Sequence, residues 1–197
     1  MHKRYLVSVL ALGLLLGLAS AGHPFSAPGP HWNTTFVYYE DNLPNSWEWA
    51  AYYAKNTWNG VTNANGTQTN FDFYRSGHTD RTKSKDSHNV VCRRDMGKNG
   101  TLALCWTWWD AATNHLSEFD IEINTAYTWA TDQPWWYWWW YDVQNVVTHE
   151  FGHALQLDDL YGNGDKEKTM YGYSGQTETK KRSLDNDDKA GMRSLYP

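Results

Sequence analysis

His149 and His153 stand four residues apart, with Glu150 beside the first. On a helix that spacing puts both imidazoles on one face, where two ring nitrogens can converge on a single zinc ion at about 2.0–2.1 Å. Glu150 then points to the side of the pair, toward a water held by the metal rather than toward the metal, which is the place of a general base. A hydrolytic zinc keeps three protein ligands and leaves its fourth position to water. Counting His149 as the first residue, the eleventh is Asp159, whose carboxylate is an ordinary zinc ligand; Asp158 is the neighbouring candidate. The chemistry in view is metal-assisted hydrolysis of an amide or ester, and the plain alternative is two surface histidines with an acid nearby.

Such a motif needs a helix to carry it. Asp142 can cap one, and Val143, Val146, Val147, Phe151 and Leu155 supply its apolar contacts. Further upstream, residues 35–39 are β-branched and aromatic, as in a strand. Asn45 or Ser46 can cap a helix in which Trp47, Ala50, Ala51, Ala54 and Trp58 recur at helical spacing, with Gly60 just beyond. Short β-rich runs follow at 71–75, 89–93, 101–108 and 117–124. In the last of these Phe119, Ile121 and Ile123 alternate with Asp120, Glu122 and Asn124, the period of a strand with one wet face. Five strands around one early helix make the fold class α+β, and no internal repeat is visible.

The chain opens like an export signal: His2, Lys3 and Arg4, then an apolar run to Leu18, then Ala19-Ser20-Ala21. We expect a signal peptide over 1–21 and a secreted, extracellular product, a membrane anchor being the competing reading. Residues 22–31, with Pro24, Pro28 and Pro30, read as a disordered lead-in, and 32–197 suits one domain. The formal charge is −5, more acidic still without Lys3 and Arg4, so nucleic acid is not an expected partner. Cys92 and Cys105, in an exported chain, are expected to join in a disulfide; closing that short loop adds on the order of 3 kcal/mol. The aromatic run Trp135 to Tyr141 cannot turn every ring to one side of any element, so several should reach the surface. It reads either as packing around the metal helix or as a contact for a hydrophobic, glycan-bearing or membrane-associated surface.

The segment from His149 to Asp159 resembles the metzincin signature, HExxHxxGxxH or HExxHxxGxxD, and the chain is most similar to the matrixin branch of that clan. Thr169-Met170-Tyr171 looks like the methionine turn. The segment from Ser183 to Tyr196, with its paired aspartates and final Leu-Tyr, is similar to the matrixin C-terminal helix, while Leu102-Ala103 and Phe119-Asp120-Ile121 resemble the last two sheet strands. The resemblance implies a twisted, mostly parallel five-stranded sheet with an antiparallel edge strand, an active-site helix, a methionine turn and a C-terminal helix. It implies a monomeric zinc endopeptidase acting on protein or peptide substrates, with Met170 beneath the metal without binding it. Tyr171 and Tyr173 would belong to the wall of the substrate pocket, Tyr173 as a donor to the developing oxyanion. One of Asp187 and Asp188 would tie the last helix to the methionine turn, and 101–108 would pair with an extended substrate.

Two departures stand out. Asp159 takes the place of the third His common in matrixins, which resembles the snapalysin-type choice. Gln156 stands where the family has Gly; if it must adopt a left-handed conformation, the cost is roughly 1–2 kcal/mol. No cysteine lies between the signal and the domain to act as an inhibitory switch. Structural Ca2+ or a second Zn2+ has room in this reading, with His78 and Asp80 as the pair that would contribute. The rival reading is a non-catalytic glycan- or surface-binding module on the same fold.

Overall fold

The computed structural model describes the backbone of Ser8–Ala11 and residues 29–132 and 138–197. Apart from Ser8–Ala11 the expected signal segment lies outside the described residues, as do most of the lead-in and Trp135, Trp136 and Tyr137.

The elements run β1 (Ser8–Ala11), β2 (Phe36–Asp41), α1 (Asn45–Asn59), β3 (Asp72–His78), β4 (Val90–Arg94), β5 (Thr101–Asp110), β6 (His115–Asn124), β7 (Trp129–Ala130), β8 (Tyr141–Asp142), α2 (Val143–Ala154) and α3 (Asn186–Leu195). The main sheet has the order β1-β5-β6-β4-β2-β3. β3, β2, β4 and β6 are mutually parallel, whereas β5 runs antiparallel to β6. The expected five-stranded sheet is therefore present, and β1 lengthens it by pairing antiparallel along the outer side of β5. β7 and β8 form a small parallel pair that leads into α2. The fold is α+β, as the pattern of runs implies.

One face of the sheet is covered by α1 and α2. Phe73, Phe119, Phe151 and Tyr39 meet there, edge to face except for the tilted Phe73–Phe151 pair, all essentially without exposure, and burial of such rings is a large apolar contribution to the core. Trp58 on α1 buries its ring and donates its indole N–H to the Thr148 carbonyl at 2.8 Å, which sets the two helices against each other. Trp32 does the same at the other end of α2, donating to the Ala154 carbonyl at 2.8 Å. The last residues of the expected lead-in also belong to the fold, for His31 bridges to His115 on β6.

Three expectations need correction. α1 begins at Asn45 with Pro44 in the cap position and no side-chain cap, so neither Asn45 nor Ser46 caps it; Pro44 has already set the φ the entry needs. β6 has no wet face. Asp120, Glu122 and Asn124 are all buried: Asp120 accepts the N–H groups of Ser84, in the segment before β4, and of Val90 at its start, both at 2.9 Å, and Asn124 donates to the Gly97 and Thr101 carbonyls after β4 at 2.9 and 2.8 Å. Glu122 pairs with Arg94 at 2.8 Å and accepts the Trp106 indole at 2.9 Å. Polar residues at alternate positions here are buried hydrogen-bond partners rather than a solvent face. The disulfide is absent, too: Cys92 and Cys105 are both free and buried. They lie on β4 and β5 with β6 between them, opposite Glu122 and Ile121 respectively. Adjacent residues of β6 face opposite sides of the sheet, so the two thiols are two strand spacings apart and on opposite faces, beyond disulfide reach. Burial pushes the Cys92 thiol up to about 12 and that of Cys105 well above its usual range, which leaves both unreactive in the folded chain.

Candidate metal centre

α2 starts where Asp142 accepts the Asn145 N–H at 2.7 Å, and Arg182 from beyond the methionine turn donates to the same carboxylate at 2.9 Å. About two and three turns along, His149 and His153 point off the same buried side. Their outer nitrogens are fixed by carbonyls: Nδ1 of His149 donates to Thr169 and Nδ1 of His153 to Leu157, each at 2.7 Å. Both Nε2 lone pairs therefore face inward. They lie 2.9 Å apart, and Oδ1 of Asp159 lies 3.1 Å from the first and 3.5 Å from the second. Among the described residues, Asp159 and not Asp158 completes this group of donors.

Three lone pairs aimed at one point repel unless a cation stands between them. A tetrahedral ion with ligands at about 2.05 Å has donor–donor edges of about 3.3 Å, and the observed triangle brackets that figure. Among the described residues, Oδ1 of Asp159 and both carboxylate oxygens of Glu150 are buried without a hydrogen-bond partner, although buried carboxylates ordinarily find donors. The donor set and these orphaned oxygens fit a zinc ion with three protein ligands.

Burial and the neighbouring charges shift each of these groups. Burial, with the Lys181 ammonium and the His153 ring nearby, drives His149 down to about 3, so its ring is neutral as a ligand must be. Burial also works to lower His153, but the Asp159 and Glu150 carboxylates raise it overall. Burial pushes the Glu150 carboxyl up to about 8, against the pull of His153 and with a push from Asp159. Asp159 resists its own desolvation because the two imidazoles hold it well below the ordinary carboxylate range.

The turn after α2 explains how Asp159 arrives. Leu157 N–H bonds back to the Gly152 carbonyl at 3.0 Å and Gln156 N–H to that of His153 at 2.9 Å, the two bonds of a Schellman ending. Such an ending needs a left-handed residue, and Gln156 has φ +73°. The same reversal returns the Leu157 carbonyl to His153. Asp159 is steadied by Tyr161, whose hydroxyl donates to Oδ2 at 3.0 Å. The Tyr161 ring lies across Gly172, where an added Cβ would meet it at 2.4 Å.

Met170 is buried beneath α2. Its sulfur fills the space that Gly152 leaves: a Cβ there would stand 2.2 Å from Sδ and 2.9 Å from the Trp58 ring. Asp188, rather than Asp187, ties α3 to the methionine turn by accepting the N–H groups of Thr169 at 2.9 Å and Met170 at 3.2 Å. Tyr173 sits edge-on between Tyr161 and Tyr171. Lys181, fully buried, donates its ammonium to the Tyr171 carbonyl, while Asn145 of α2 holds Ser174 Oγ at 2.9 Å and Lys181 N–H at 2.8 Å. This clamp closes the neck of the loop that follows the turn.

Tyr161, Asn145, Gly152 and Lys181 are functional supports that sequence reasoning passes over. Lys181 sits in the run Lys180-Lys181-Arg182, which looks like any solvated basic stretch. Only the glycine inside the histidine motif carried a usable signal, as an interior helix glycine generally has a packing reason.

His78 is brought not to Asp80, which is exposed, but to Glu48 at 3.0 Å and Asp41 at 3.5 Å. Arg75 already stands in that group, paired with Asp41 and, at 3.2 Å, with Glu48.

A mostly parallel sheet with one antiparallel strand, β5, a histidine helix, a methionine turn and a capped final helix define a metzincin-type metallopeptidase domain. The chain matches the family model described as Matrixin over residues 49–197 and belongs to the matrixin family, whose members are zinc metalloendopeptidases. No curated protein matches it.

Proposed function

We propose that the chain is a secreted endopeptidase that hydrolyses peptide bonds with Glu150 as its general base. The observation that carries this is the Glu150 carboxylate, buried beside the donor triangle with neither oxygen engaged. His149, His153 and Asp159 would hold zinc, which when bound supplies Lewis acidity to a water and to the scissile carbonyl. Glu150 takes the proton of the attacking water and delivers it to the departing amine, so no acyl-enzyme forms. The outer side of β5 receives the substrate as an added extended strand, as it receives β1 in an antiparallel register, Val9 opposite Leu104. Tyr173 and Tyr171 line the approach beyond the turn. Export is supported by the basic, apolar and small-residue layout of residues 1–21.

The test is cleavage of a labelled unfolded protein by the wild type, by the wild type with a zinc chelator, and by Glu150→Gln. We expect Glu150→Gln to keep its metal and lose activity by about 10²–10⁴-fold. Cleavage that survives chelation or the substitution would end this reading. A second reading rests on Trp138 and Trp139, which are 68% and 62% exposed beside buried Trp140 and Tyr141. Retention on an insoluble polysaccharide, with no cleavage by the wild type, would favour a surface-binding module.

A further inference from the structure

Gln156 is buried, only 4% exposed, and is one of four non-glycine residues among those described that hold a positive φ. The other three, Ser87, Asn114 and Thr177, are outside the metal turn. A left-handed Gln is strained where Gly or Asn would not be, so its side chain should be doing something that glycine cannot. It reaches across to the sheet: Nε2 donates to Oγ1 of Thr107 at 3.2 Å, a buried pair that joins residues far apart in the chain. Thr107 lies on β5, paired with Phe119 of β6. Its neighbours Trp106 and Trp108 continue the strand whose outer edge takes an extended chain.

We propose that Gln156 is a positioning residue that locks the β5 edge to the turn carrying Leu157 and Asp159. The turn fixes His153 through the Leu157 carbonyl and brings Asp159 to the cluster. β5 fixes the main chain of whatever is laid along it. The amide of Gln156 joins these two parts by a side-chain hydrogen bond, and it thereby sets the distance between scissile carbonyl and Glu150. A shift of a few tenths of an ångström in that distance acts on the chemical step rather than on binding. The inference rests on the endopeptidase reading.

The experiment compares Gln156→Gly, Gln156→Asn, Thr107→Val and the double variant Gln156→Gly/Thr107→Val. Each is measured for kcat and KM on a labelled unfolded protein, for bound zinc, and for amide hydrogen exchange along residues 106–109. Asn tolerates the left-handed conformation but is one methylene too short to reach Thr107, so it should behave like Gly. We expect kcat to fall about tenfold in each single variant, with KM within about twofold, zinc retained, exchange along 106–109 faster, and the double variant no worse than either single one. An unchanged kcat in Gln156→Gly overturns the proposal. So does loss of zinc, or a further loss in the double variant, since either would place the effect in the turn alone. If the wild type cleaves nothing, the endopeptidase reading is what fails, and exchange still decides the link: faster exchange upholds it and unchanged exchange overturns it.

Discussion

Around Asp41, Glu48 and His78 the protein supplies its own cation, the Arg75 guanidinium, and His78 is 52% exposed at the side chain. Around His149, His153 and Asp159 the donors are buried, both outer nitrogens are anchored to carbonyls, and among the described residues Oδ1 of Asp159 faces the two imidazoles with no ammonium or guanidinium paired to it. The two groups contain the same kinds of donor within a similar span. What separates them is charge balance and restraint. A cluster with a built-in guanidinium is a surface ion-pair network, whereas one with converging lone pairs and no contacting ammonium or guanidinium calls for an external cation.

This contrast can be broken most directly at Asp159. Asp159→Ala should weaken zinc binding by at least about 100-fold in a competition titration; unchanged affinity would mean that another group supplies the third donor. Next in size is the support beneath the helix. Gly152→Ala forces a methyl group against Met170 and Trp58, and overpacking of about 1–3 kcal/mol, offset in part by about 1 kcal/mol of helix propensity, should lower the unfolding midpoint in denaturant. Acid sharpens the comparison further. His149 stays neutral until strongly acidic pH, but His153 is raised, so as pH falls a proton takes the His153 lone pair that the cation needs. Zinc affinity should therefore decline toward acid with a limiting slope of about one log unit per pH unit, and a slope of two would show both rings titrating together. The smallest effect belongs to the other cluster. His78→Ala should change unfolding free energy by less than about 0.5 kcal/mol and leave one equivalent of zinc; a second equivalent that disappears with His78 would erase the distinction.

Much of the centre is legible in the sequence because it is local. A four-residue spacing on a helix and an N-cap at Asp142 are decided within a few residues of one another, and each takes the form that its residues imply; the reversal at Gln156 is local too, but a Gln does not announce it. The five strands are legible for the same reason. What escapes is set by partners distant in the chain. Alternation in β6 looks solvent-facing until the segment before β4 folds over it, and two cysteines thirteen positions apart look ready to join until β6 comes between them. Tyr161 and Lys181 acquire their roles from the path of the loops around the turn, which no periodicity encodes. Gly152 is intermediate: its lack of a side chain is visible at once, but the sulfur that needs the space lies on another segment.

That sulfur has a chemical consequence. Met170 is buried with its Sδ pressed against the bare backbone of Gly152, and conversion to the sulfoxide adds a polar oxygen to that sulfur. The folded chain hides the thioether from oxidants, but a chain oxidised before it folds could not seat the histidine helix on its bed. Peroxide exposure would thus be harmless or disabling according to whether it came after folding or before.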